Sequence, residues 1–416
     1  MPGSPRSPIR GFVRRPLCWR HFKDEALTEP DPISAKGLWR GRRARLGAPG
    51  AVVAAPKGFD GVRLTFEQAE ASIEAAADRL SIPRSAWAGG DFNILAISGG
   101  AAGGAFGAGV LVGLTRAGRR PDFALITGVS TGALIAPFAF LGPAWDHRLR
   151  EAYTGGHAED ALGFTGLSLT LEGGLFQPAA LERLVYPFID DDLVAAVAVE
   201  HRRGRRLLVA TTDLDRQAPC IWDMGEIACR GGPAATQMFR DVLIASASLP
   251  GLFPPRRFEV EAGGRRYEEL HVDGGVSAPL FVMPEGLLHW RKLGRRMQHG
   301  RIYVIVNTVL NPASQATPIS LPTILLRSFD TMLRVSYRQA LSVAVTFSQA
   351  NNLPLSVASI AETLAATEVG GMLTFETSAM RRTFDSAVEA AQAEDFWRTP
   401  VARSDPWSDF LDLFRR

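Results

Sequence analysis

Phe123-Ala124-Leu125-Ile126-Thr127 runs directly into Gly128-Val129-Ser130-Thr131-Gly132, and how this junction is read decides the fold. A short, largely apolar run reads as a buried strand, and the apolar stretch 131–140 beyond the glycines reads as a helix. The serine therefore sits on a sharp strand-to-helix turn. Gly128 tolerates the strained backbone of such an elbow, and Gly132 lets the helix pass close to the strand, so Ser130 is the candidate nucleophile.

The same alternation extends to both sides. Strands are predicted at 92–97, 123–127, 206–211, 268–272 and 301–306, with helices over about 104–117 and 131–140 and a long one from Leu321 to Gln349. Apolar strands separated by helices imply an α/β fold whose mostly parallel sheet is covered on both faces. Upstream, Thr65 with Gln68 forms a capping box, and Phe66, Ala69, Ile73, Ala77 and Leu80 recur at helical spacing until Pro83. Residues 1–62 are rich in Pro, Gly and Arg, with no sustained period. The expected division is an N-terminal extension with its leading helix over 1–88, a catalytic domain over 89–395 and a tail with a short helix over 396–416.

Charge is placed unevenly. The net value is +3, yet residues 1–50 hold 11 Lys/Arg against 4 Asp/Glu, so the remainder is net acidic. Met1 to Lys23 carries basic residues among Phe12, Leu17, Trp19 and Phe22, which reads either as a solvated arm or as an anionic-membrane anchor. Ile94–Thr115 and Phe123–Trp145 lack charged residues, but seven glycines in the first and the serine elbow in the second mark strand-turn-helix units, not bilayer spans. No apolar signal segment follows the basic start, so a cytoplasmic or peripheral-membrane protein is expected. Cys18, Cys220 and Cys229 have no metal-ligand spacing, so neither a metal nor another cofactor is expected, and nothing points to nucleic acid.

Acyl transfer needs a base and oxyanion donors beside the nucleophile. Ser98-Gly99-Gly100-Ala101-Ala102-Gly103-Gly104-Ala105-Phe106 is a glycine-rich strand-to-helix turn, whose N–H groups suit a phosphate or an oxyanion. It matches the dinucleotide fingerprint G-x-G-x-x-G only in part, and Arg116-Ala117-Gly118-Arg119-Arg120 stands where the ribose-binding acid belongs. No Gly-Lys-Ser/Thr follows, which excludes a P-loop. His271-Val272-Asp273-Gly274-Gly275 ends a strand with an acid before two glycines, so Asp273 is either the base or a turn-capping residue. His271 reads as a strand residue, and Asp213 and Asp215 read as turn residues.

Together and in this order the three motifs resemble the patatin-like phospholipases, a family of lipid acyl hydrolases. Ala245-Ser246-Ala247-Ser248-Leu249-Pro250-Gly251-Leu252-Phe253-Pro254-Pro255 is similar to the family's block before the catalytic aspartate, and the stretches 211–215 and 221–225 resemble a bacterial branch. The resemblance covers about 90–395. It implies a three-layer α/β/α fold and a Ser130–Asp273 dyad, with an oxyanion hole at Gly99, Gly100, Ala101, Ala102, Gly103 and Gly104, supported by Gly128, Gly132, Gly274 and Gly275. The implied substrate is a phospholipid or other acyl-ester lipid, cleaved in phospholipase A or lysophospholipase fashion. Ala101 and Gly103 depart from the family's G-G-G-x-(Arg/Lys)-G, and Ala101 is expected to avoid strongly positive φ. Two alternatives stand beside this reading: an α/β-hydrolase esterase using His289, and a catalytically weak lipid-binding protein.

Overall fold

The computed structural model describes residues 54–64, 93–162, 167–170, 174–177, 179–282, 300–310, 314, 316–360 and 374–399. The predicted helix over 66–80, the basic N-terminal arm, His289 and the tail helix lie outside the described residues. Twelve strands are described: β1 (Ala55–Pro56), β2 (Arg63–Leu64), β3 (Ile94–Ile97), β4 (Leu125–Val129), β5 (Leu167–Thr170), β6 (Gly174–Phe176), β7 (Arg206–Asp213), β8 (Ala218–Asp223), β9 (Arg256–Ala262), β10 (Arg265–Asp273), β11 (Ile302–Val306) and β12 (Leu355–Ser359). Ten of them form one sheet, and β5 and β6 form a separate hairpin.

The centre of the sheet, in the order β12-β11-β3-β4-β7, is parallel throughout. Beyond it β8, β9 and β10 run antiparallel, and β1 and β2 pair with β9 and β8. Residues 54–64, although poor in pattern, thus contribute two sheet strands.

The described helices are α1 (Gly104–Arg116), α2 (Thr131–Leu141), α3 (Asp146–Thr154), α4 (His157–Leu162), α5 (Ala179–Val185), α6 (Asp191–Arg202), α7 (Met224–Arg230), α8 (Gly232–Ala247), α9 (Leu321–Asn351) and α10 (Thr377–Ala390). Period-2 alternation sends side chains of each strand to two separate cores. Leu95, Ile97, Ile126, Leu207, Val209 and Ile305 pack with α1, α2, α8 and α10 on one face. Ile94, Ala96, Leu125, Leu208, Ile302 and Val304 pack with Leu333, Tyr337, Ala344 and Phe347 of α9 on the other. The result is a mixed α/β fold with helices on both faces of a mostly parallel central sheet. The two charge-free stretches are β3 with α1 and β4 with α2, and among the described residues no helix is long and apolar enough to cross a membrane.

Glycines in α1 serve packing. A Cβ on Gly109 or Gly113 would strike the backbone of α10 at Phe384 or Val388, so α10 lies directly against α1. Burying that contact holds the chain beyond residue 374 on the same core as the first strands.

Candidate active site

β7 is the template that joins residues far apart in sequence. On one edge its first half pairs parallel with β4, ending at Val129 opposite Ala210, and its second half pairs antiparallel with β10, ending at Asp273 opposite Thr211. The C-terminal ends of β4 and β10 therefore meet over neighbouring residues of one strand. Ser130, the next residue after β4, lands beside Asp273, and Ser130 Oγ donates a 2.6 Å hydrogen bond to Asp273 Oδ2.

Ser130 occupies the elbow that its glycines predict, with φ 55 and ψ −127. Such a backbone costs a non-glycine residue about 1–3 kcal/mol, which the surrounding structure must offset. A Cβ on Gly128 would lie 2.7 Å from the Gly132 carbonyl oxygen, and one on Gly132 would strike the carbonyls of Ile97 and Ser98. The Ser130 N–H donates to Ser246 Oγ at 3.0 Å, and that hydroxyl donates to the Ala210 carbonyl at 2.7 Å. Ser246 thus ties the elbow to the template strand.

Asp273 is buried, and burial pushes its carboxyl up to about 7, against the lowering pull of the Ser130 and Gly275 hydrogen bonds. The Gly275 N–H donates to Asp273 Oδ1 at 2.7 Å, leaving Oδ2 for the serine. Thr212 Oγ1 donates to the Asp273 carbonyl, and a side chain at Gly274 would strike the Ala210 carbonyl. A carboxylate with an affinity for protons near neutrality can accept and return a serine proton at pH 7.

Of the six residues in the glycine turn, two line the cavity in front of Ser130: Gly100 and Ala101. Gly99 N–H donates to the Pro279 carbonyl, Gly103 N–H to that of Gly100, and Gly104 N–H toward those of Ala101 and Ala102. The N–H groups of Gly100 and Ala101 donate to no acceptor among the described residues. Gly100 has φ 155, and a Cβ there would strike the Asn307 carbonyl. Ala101 does not avoid positive φ as expected: it sits at φ 48. Left-handed backbone costs an alanine about 1–2 kcal/mol. The turn imposes it because Gly100 and Gly103 are both pressed against Asn307.

The cavity encloses about 1070 Å³ including its mouth. Its wall is aliphatic and aromatic, with Leu134, Phe138, Leu181, Phe188, Leu252 and Phe253 among the contributors. Among the described residues no Lys or Arg lines it. α9 and the segment after 374 complete the lining with Leu333, Tyr337, Phe375 and Met380.

Three residues of the site escape the sequence reading of roles. Asn307 holds the glycine turn from β11: its Oδ1 accepts from Gly107 N–H at 3.0 Å, and its Nδ2 donates to the Ser98 carbonyl at 2.8 Å. A polar residue directly after a predicted strand was a usable signal. Ser246 lies in the alanine/serine stretch 245–248, where nothing local marks its role. Tyr337 lies within a long helix, where nothing local marks it.

His271 is fully buried between Thr211, Glu269 and the ring of Phe258, away from the cavity. Asp213 Oδ1 accepts from the N–H groups of Asp215 and Arg216, as a turn residue does. Among the described residues two groups bring enough ligand atoms together for a metal ion, Asp213-Glu269-His271 and His201-Asp223-Glu226. Arginines already face both, with Arg63 at 2.5 Å from Glu269 and Arg206 at 3.9 Å from Asp223, and neither group includes Ser130 or Asp273.

No curated protein sequence matches the chain. Among solved structures, "Crystal structure of VipD from Legionella pneumophila" is similar at 12% identity and a TM-score of 0.30, over 71% of this chain and 67% of that one. The family model for patatin-like phospholipases matches residues 95–284, the stretch that carries the glycine turn, Ser130 and Asp273. That stretch of the chain is similar to the patatin-like phospholipases, an ester-hydrolysing family that acts on lipid acyl esters.

Proposed function

We propose that the protein is a serine-dependent lipid acyl hydrolase of phospholipase A or lysophospholipase type, working through a Ser130–Asp273 dyad. The observation that carries this reading is the 2.6 Å bond from Ser130 Oγ to a buried carboxylate poised near neutrality. Asp273 takes the serine proton as Oγ attacks the ester carbonyl, and the carbonyl electron pair moves onto the oxygen. Gly100 and Ala101 N–H groups receive that oxyanion; one such donor contributes about 3 kcal/mol. Collapse expels the alcohol, which takes the proton from Asp273, and water then releases the fatty acid from Ser130 by the same route.

The apolar cavity favours a fatty acyl chain over a short acyl group, because each buried methylene contributes about 0.8 kcal/mol. Contact with a lipid surface is supported by α9. Twelve of its described side chains are exposed, Leu325, Met332, Val335 and Val343 among them, and none of the twelve is charged. The opposite side of the same helix lines the cavity with Leu333 and Tyr337.

Incubation with a mixed lipid extract tests the assignment. Free fatty acids and lysolipids should appear by mass spectrometry with wild type and be absent with Ser130→Ala. Release by a folded Ser130→Ala protein at the wild-type rate would overturn it.

A further inference from the structure

We propose that Tyr337 is a further catalytic residue, whose phenol O–H donates to the ester carbonyl oxygen as negative charge develops there, alongside Gly100 and Ala101. This rests on the acyl-hydrolase reading and adds a side-chain donor to it.

Three parts of the site converge above Gly99. At the point where a Cβ on Gly99 would sit, the Tyr337 phenol oxygen is 2.8 Å away, Ser130 Cβ 3.0 Å and Ser130 Oγ 3.6 Å. The phenol, the nucleophile and the glycine turn therefore share one small space, which the missing side chain of Gly99 leaves open. Tyr337 is 2% exposed and lines the cavity.

The hydroxyl is uncommitted. Two other hydroxyls in the cavity wall, Thr131 and Tyr153, bond to each other at 2.9 Å, and Tyr153 also donates to the Thr131 carbonyl. Ser130 is committed to Asp273. Tyr337 has no hydrogen-bond partner among the described residues. A hydroxyl that lines the cavity beside the nucleophile and is tied to no described side chain is free to bond with the substrate. Burial and the neighbouring Asp273 charge raise the phenol's pKa, so it stays protonated and acts only as a donor.

The step balances without a second proton transfer. Ser130 Oγ bonds to the carbonyl carbon, its proton passes to Asp273, and Tyr337 keeps its own proton while hydrogen-bonding the oxyanion. Among the described residues that line the cavity there is no Lys or Arg, and the phenol is the side-chain donor suited to this task.

Tyr337→Phe removes the hydroxyl and keeps the ring in the α9 core. On a soluble acyl ester, kcat should fall about 100-fold with KM within about twofold. Affinity for a trifluoromethyl ketone, which adds Ser130 to give a tetrahedral oxyanion, should fall by a similar factor. Wild-type kcat in Tyr337→Phe would overturn the proposal, as would a loss of kcat with undiminished ketone affinity. Failure of the underlying reading looks different, because wild type itself would then neither hydrolyse the ester nor bind the ketone.

Discussion

Ser130 Oγ and Asp273 Oδ2 are 2.6 Å apart across 143 residues of sequence, joined because β4 and β10 end on neighbouring residues of β7. In the proposed mechanism this arrangement makes the aspartate both base and buried charge. Its chemistry and its cost to stability therefore share one origin, the removal of its carboxylate from water.

The first consequence is a pH profile. Only the ionised form of Asp273 accepts the serine proton, and its carboxyl is raised to about 7. Hydrolysis of a soluble ester should be low at pH 5, rise with a midpoint near 7, and level off above it. A profile already flat from pH 5 to 8 would contradict the buried base.

Stability should follow the opposite course. Asp273 is protonated more readily folded than unfolded, so its contribution is fully present below its unfolded value of about 3.9. That contribution is lost as pH rises through about 7. Asp273→Asn removes the charge while Oδ1 keeps its bond from Gly275. The variant should be inactive yet more stable than wild type, by up to about 4 kcal/mol at pH 8 and far less at pH 4. Urea unfolding at the two pH values measures this difference.

Glycine at position 100 should be indispensable for rate. Gly100→Ala drives a Cβ into the Asn307 carbonyl and forces a backbone shift at the donor N–H. A fall in kcat of about 100-fold or more is expected, with circular dichroism retained. Near-normal kcat would show that the oxyanion is held elsewhere.

Leu325→Asp with Met332→Asp tests the uncharged face of α9. Each apolar side chain buried in a lipid surface contributes roughly 1.5–3 kcal/mol. Co-sedimentation with phosphatidylcholine–phosphatidylglycerol vesicles should therefore fall at least about tenfold. Turnover of a soluble ester should not change, and unchanged vesicle binding would move the contact to another surface.

Four strands of the parallel half, β3, β4, β7 and β11, were legible, while β12 was not predicted; the clearest signals are local, an apolar run, a glycine turn and a helix, repeated at Ile97–Gly104 and Val129–Thr131. The elbow and the aspartate could be placed for the same reason. β9 was not predicted, although Phe258, Val260 and Ala262 alternate with exposed Arg257, Glu259 and Glu261 before the Gly263-Gly264 turn. Charged residues on its solvent face break the apolar run by which the fully buried strands are recognised. Tyr337, and the hold of Asn307 on the glycine turn, depend on how distant elements pack. No spacing in the sequence encodes which residue of a 31-residue helix will reach Gly99.

The most direct test of the dyad is covalent capture of its nucleophile. A fluorophosphonate probe should label the wild-type protein on Ser130 alone, located by peptide mass spectrometry. Labelling should disappear in Ser130→Ala, slow by orders of magnitude in Asp273→Asn, and persist in His289→Ala. Labelling on another residue, or loss in His289→Ala with near-normal labelling of Asp273→Asn, would contradict the account.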